Sequence, residues 1–147
     1  MKNKDLPKNY FELNNFIFVH SFIPIKLQKD KENEIIGHLK ATGEPVTAKQ
    51  YPSQAPTEWF TYKSDWRNST EQEWQEASWG CPWEKYQVGL FDAEIKNNKI
   101  LVCGHWHTSD FFKYLDNNFE WRSLAPIYFS KNLIGLDGGC KFDFWTE

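Results

Sequence analysis

The run Ile100-Leu101-Val102-Cys103-Gly104-His105-Trp106-His107 constrains this chain more than any other stretch. Three β-prone apolar residues and a small thiol follow the turn-forming pair Asn97-Asn98. A run so short and so apolar predicts a buried strand over Ile100 to Cys103 rather than a helix. Gly104 frees the backbone where that strand ends. His105 and His107 then stand two residues apart. On an extended backbone their rings project from the same side, with Cα atoms roughly 6–7 Å apart. That spacing suits two imidazoles aimed at one metal ion, or at two ions about 3.5–4 Å apart. It suits equally well two structural histidines bonded to backbone. The position matters, because open α/β sheets bind ligands beyond the carboxyl ends of their strands.

A second run, Asn15 to His20, carries Phe16-Ile17-Phe18-Val19. It is apolar on both faces, as a central covered strand is, and it too ends in a histidine. Leu133 to Leu136 predicts a third buried strand, followed by the turn signal Asp137-Gly138-Gly139. Cys140 to Trp145 alternates and predicts a last strand in hairpin with the third. Ile127 to Phe129 predicts a short strand, and Thr108 to Asn118 a polar, aromatic loop that includes Asp110.

Between the first two strong strands the chain changes character. Ser21 to Lys63 is polar and broken by Pro24, Pro45, Pro52 and Pro56, which predicts an extended surface insertion with one short helix or strand over Glu34 to Lys40. His38 lies there as a solvated side chain. Thr70-x-x-Glu73 has the capping-box form and predicts a helix with Trp74, Ala77 or Ser78, and Cys81 on one face, ended by Gly80 and Pro82. Tyr86 to Ile95 reads as a loop with a short helix or strand.

At 147 residues the chain reads as a single domain, long enough to bury a core. A net charge of −3 gives no footprint for nucleic acid. Three widely spaced cysteines without a Cys-x-x-Cys pair point to reduced thiols and a cytoplasmic setting. Neither a secretory signal nor a run long enough to span a membrane is visible in the sequence.

Val19-His20, Gly104-His105-Trp106-His107 and Ile134-Gly135-Leu136-Asp137-Gly138-Gly139-Cys140 together resemble the second half of a calcineurin-like metallophosphoesterase. Asp65-Trp66-Arg67 and the tryptophan-rich helix after it resemble the insertion of a bacterial and phage branch of that family. The resemblance runs from about Tyr10 to Phe144. It implies an α/β (α+β) fold: a partial metallophosphoesterase-like β-sandwich with flanking helices and a Trp-rich insertion over about residues 21–98. It implies that His20 and His105 bind one metal and His107 the other, the metals being Mn, Fe or Zn, which imidazole suits. The implied activity is hydrolysis of phosphate mono- or diesters, with two cations acidifying a water and neutralising phosphate charge.

The family's first-half motifs, Asp-x-His, Gly-Asp-x-x-Asp and Gly-Asn-His, do not occur in this sequence, and Ser21 stands where a glycine usually follows the strand-end histidine. Three imidazoles without a bridging carboxylate hold two dications poorly. The chain therefore reads as active only with a partner chain that supplies the first half. The alternatives are an inactive remnant, or a non-catalytic binding protein that self-associates. Half a sandwich leaves a sheet edge and an apolar face, so self-association, a partner or marginal stability is expected. Arg67 and Trp66 are candidate substrate contacts, with a surface salt bridge for Arg67 and packing onto the core for Trp66 as the alternatives. Asp110 and Asp137 are candidate carboxylates without a motif behind them.

Overall fold

The structure is a computed structural model that describes residues 9–116 and 127–137. In chain order it runs β1 (Tyr10–Leu13), β2 (Phe16–Val19), β3 (Ile25–Leu27), β4 (Ile35–His38), β5 (Pro45–Thr47), β6 (Phe60–Tyr62), α1 (Glu71–Ser78), α2 (Pro82–Gln87), α3 (Asp92–Ile95), β7 (Ile100–His107), α4 (Thr108–Leu115), β8 (Tyr128–Phe129) and β9 (Leu133–Asp137). The content is α+β. The main sheet has the order β1-β2-β7-β9-β8. Its three central strands, β2, β7 and β9, are parallel. These are the apolar runs the sequence offered, as expected for strands covered by helices. β1 and β8 close the edges antiparallel.

One face of this sheet carries the core. Ile17, Leu101 and Leu133 are fully buried and stand in one cross-strand row. Over them lie Trp66, Trp74, Trp83, Phe91, Phe111 and Phe112. The fit is close: a Cβ added to Gly135 would meet the Phe111 ring at 3.1 Å.

The opposite face is also apolar. A single row runs Phe11, Phe18, Val102, Ile134, Phe129 across all five strands. Its centre, Val102 and Ile134, is buried, while Phe11 is 58% and Phe129 75% exposed. Leu13 and Leu136 on the same face are exposed too.

Residues 64–98 supply Trp66, Trp74, Trp83 and Phe91 to the layer over the sheet. The stretch from residue 21 to 63 is mostly exposed or half-buried, as expected, with Ser21 to Pro24, Val46 and Ala48 buried. Its backbone folds into two ribbons, β3 with β6 and β4 with β5. Ile35–His38 is the strand alternative foreseen within Glu34 to Lys40. His38, paired in register with Pro45, is exposed.

α1 starts where its capping box predicts. Thr70 Oγ1 accepts from the Glu73 amide at 3.2 Å, and the Glu73 carboxylate accepts from the Thr70 amide at 2.9 Å. Trp74 and Ala77 are its buried residues. Pro82 does more than end this helix: it opens α2 from the first position, where its missing N–H costs nothing. Thr108 to Leu115 is a helix, not a loop. Phe111, Phe112 and Leu115 fall at helical spacing and pack on the core. The strand expected over Cys140 to Trp145, and Gly138 and Gly139 of the turn before it, lie outside the described residues.

Among the described residues no helix is long and apolar enough to cross a membrane. Cys81 and Cys103 are free thiols. Burial pushes their pKa values up to about 11 and about 12, so neither is primed as a nucleophile.

Candidate functional site

Because β2, β7 and β9 run parallel, their carboxyl ends lie together along one edge of the sheet. His20 follows β2, His105 and His107 end β7, and Asp137 ends β9. The Gly104 amide donates to the His20 carbonyl at 3.0 Å, which ties the first two ends together.

The end of β7 is not regular. Cys103 pairs with Gly135 and His107 with Asp137, so β7 spends four residues where β9 spends two. This is a bulge of the kind that re-aims side chains. Within it His105 has φ +64°, in the left-handed region. A non-glycine residue there costs of order 1–3 kcal/mol and is held only by its surroundings. The bulge breaks the simple alternation expected for the two histidines. His105 instead faces His20, with ring centroids 4.6 Å apart and planes inclined at 37°. His107 stands opposite Asp137 in the register. Trp79 and Trp106 meet the His105 ring edge-on at 5.7 and 5.5 Å. Burial lowers the His105 pKa, and the neighbouring His20 lowers it further. The ring is thus biased towards the neutral form that metals and protons both seek.

The His20–His105 pair can be tested against a shared cation. A metal–nitrogen bond of about 2.0–2.1 Å puts each ring centre about 3.2 Å from the ion. Two neighbouring ligands at about 90–110° then have centroids about 4.5–5.2 Å apart. The observed separation falls in that range. The remainder of a site is not assembled: among the described residues no group of three or more His, Cys, Asp or Glu side chains is placed to hold a metal ion.

Ser21, which stands where the family usually has a glycine, ties the end of β2 to the turn after α1. Ser21 is fully buried, and its hydroxyl donates to the Gly80 carbonyl. Trp106 Nε1, between the two histidines, donates to the same carbonyl at 2.8 Å and lies 3.0 Å from Ser21 Oγ. The turn after α1 is thereby clamped to the ends of β2 and β7. Nothing local in the sequence signals this clamp, since its members are 26 to 85 residues apart.

Arg67 and Trp66 are not brought to the histidines. Arg67 makes a two-pronged pair with Glu12 of β1, at 2.8 and 2.7 Å, and reaches Glu94 at 3.4 Å. Its guanidinium lies 4.2 Å from the Trp66 ring centre. Lys99, just before β7, is 3.6 Å from the same Glu12, so the cluster sits towards the opposite end of the strands. Glu94 also accepts from Trp66 Nε1 at 3.1 Å and from the Tyr62 hydroxyl. Asp110 lies in the first turn of α4.

In comparisons with known proteins the chain matches no family model, no curated protein and no solved structure.

Proposed function

We propose that this chain is a metallophosphoesterase-like protein whose parallel strand ends hold part of a metal centre. Its class of reaction is metal-dependent hydrolysis of phosphate mono- or diesters, with Mn, Fe or Zn as the metal. The observation that carries this reading is the strained His105, turned by a bulge onto His20 at a separation compatible with two ligands of one ion. Strain of this kind is kept where a site needs it. His107 and Asp137 on the adjoining strand ends supply an imidazole and a carboxylate along the same edge. Trp79 and Trp106 pack edge-on against the His105 ring, and the Ser21–Gly80–Trp106 clamp fixes the turn next to Trp79. The missing ligands come from a partner chain carrying the family's first-half carboxylates. A second reading, a non-catalytic binding protein, is favoured by one specific observation: no three metal-ligating side chains converge among the described residues.

The two readings separate in one assay. Hydrolysis of p-nitrophenyl phosphate and bis-p-nitrophenyl phosphate is followed with added Mn, with and without a chain bearing the missing motifs. The enzyme reading requires Mn-dependent turnover with that partner, abolished by His105→Ala. Turnover unchanged by His105→Ala, or none under any of these conditions, supports the binding protein instead.

A further inference from the structure

The strand-end histidines leave one largely buried lysine unexplained. Lys85, in α2, is only 8% exposed. Lysine normally buries its stem and leaves its ammonium in water. Here the stem is buried and the ammonium keeps some contact with solvent, yet among the described residues it makes no hydrogen bond and no ion pair. Desolvation pulls its pKa below the ordinary value. The Glu84 carboxylate on the same helix acts on it through space, but among the described residues no carboxylate lies within 4.0 Å of the ammonium.

The side chain borders a cavity of about 140 Å³. Ile25 and Leu27 of β3, Phe60 of β6 and Ala77 of α1 make its walls apolar. Gly80 makes room for the lysine: a Cβ there would fall 2.8 Å from Lys85 Cε and 3.2 Å from Nζ. Two carboxylates also border the space, Glu73 and Glu76. Both are engaged elsewhere, Glu73 with the Thr70 amide and Glu76 with the Ser53 amide. Neither lies within 4.0 Å of the ammonium.

We infer that this cavity is a binding site for a small monocarboxylate with an apolar body, its carboxylate on the Lys85 ammonium and its body against Ile25, Leu27, Phe60 and Ala77. The chemistry sets the class. One ammonium balances one negative charge, and the flanking Glu73 and Glu76 disfavour a dianion such as phosphate. The volume suits a body about the size of a benzene ring. The site is independent of the strand-end histidines and stands whether or not they bind metal.

Benzoate and benzyl alcohol are nearly the same shape and differ in charge. Titration of the full chain by isothermal calorimetry, with ¹³C-methyl NMR of Ile and Leu, measures both. Benzoate is expected to bind at least tenfold more tightly than benzyl alcohol, with nuclear Overhauser effects from its ring protons to the Ile25 and Leu27 methyl groups. Lys85→Met is expected to remove that preference and Lys85→Arg to retain it. The inference is overturned if benzoate shows less than a tenfold preference, if its ring protons give no effects at Ile25 or Leu27, or if a folded Lys85→Met chain binds benzoate as well as the native one. The Overhauser measurement on the native chain decides the matter even where Lys85→Met does not fold.

Discussion

Glu94→Ala should be among the most damaging single changes away from the strand-end site. Glu94 is 3% exposed and accepts from three donors, Trp66 Nε1, the Tyr62 hydroxyl and Arg67. Removing its carboxylate strands the first two. Trp66 is fully buried, so its N–H finds no water, and an unsatisfied buried donor costs about 1–3 kcal/mol. Tyr62 is only half-buried, and its hydroxyl recovers part of the loss from solvent. Arg67 keeps its two bonds to Glu12, which limits the electrostatic damage. The total is about 2–4 kcal/mol. For a chain of this length that corresponds to a Tm lower by on the order of 10 °C. Glu94→Gln keeps an acceptor oxygen for Trp66 and should recover more than half of the loss. The titration has a definite sign. Burial alone raises the Glu94 pKa, but the bonds from Tyr62, Trp66 and Arg67 outweigh it and the net shift is downward. Its contribution is therefore full above about pH 4.5, the unfolded value, and is lost as pH falls through the lower folded value. The stability gap between native protein and Glu94→Gln should narrow in acid. Urea unfolding of the three proteins at pH 7 and pH 3.5 measures all of this. A loss below about 1 kcal/mol for Glu94→Ala, or Gln proving as harmful as Ala, would refute the reasoning.

Other outcomes follow from the same structure. Gly135→Ala drives a methyl group to 3.1–3.3 Å from the Phe111 ring and should cost about 1–2 kcal/mol in urea unfolding, as overpacking does. His105 has a lowered pKa, so folding favours its neutral form; its stabilisation is full above the unfolded value near about 6.5 and falls as pH drops below it. His105→Asn, which tolerates the left-handed backbone, should therefore gain on the native protein between about pH 6.5 and 5 in thermal unfolding. Phe11→Lys with Phe129→Lys places charges at both ends of the exposed apolar row, and should reduce both self-association in sedimentation velocity and binding of a hydrophobic dye.

The central strands were readable from the sequence because their physics is local. Phe16 to Val19, Ile100 to Cys103 and Leu133 to Leu136 are short, uniformly apolar runs bounded by turn residues, and all three are strands of the main sheet. The start of α1 was readable because Thr70 and Glu73 carry their own hydrogen bonds. α4 was missed because its eight residues give barely two turns of pattern, and its aromatic residues read as loop. Pro and charge marked residues 21–63 as mostly surface, but gave no sign that Phe22 and Ile23 at their start would be buried. At the site, the sequence named His20, His105 and His107, and the resemblance grouped His20 with His105, but the backbone geometry that brings those two rings together was not legible. A bulge and a left-handed histidine set that geometry, and neither has a residue signature. Arg67 left substrate contact and a salt bridge both open, because its partners Glu12 and Glu94 lie 55 and 27 residues away.

The account turns on whether His20 and His105 grip one cation together. Isothermal titration of the native chain with Zn at pH 7.5, beside His20→Ala, His105→Ala and the double variant, measures this directly. Two imidazoles on one ion predict that either single change removes most of the affinity and that the second adds little. Zn binding that survives in the double variant, or losses that simply add, would mean that the two rings do not share an ion.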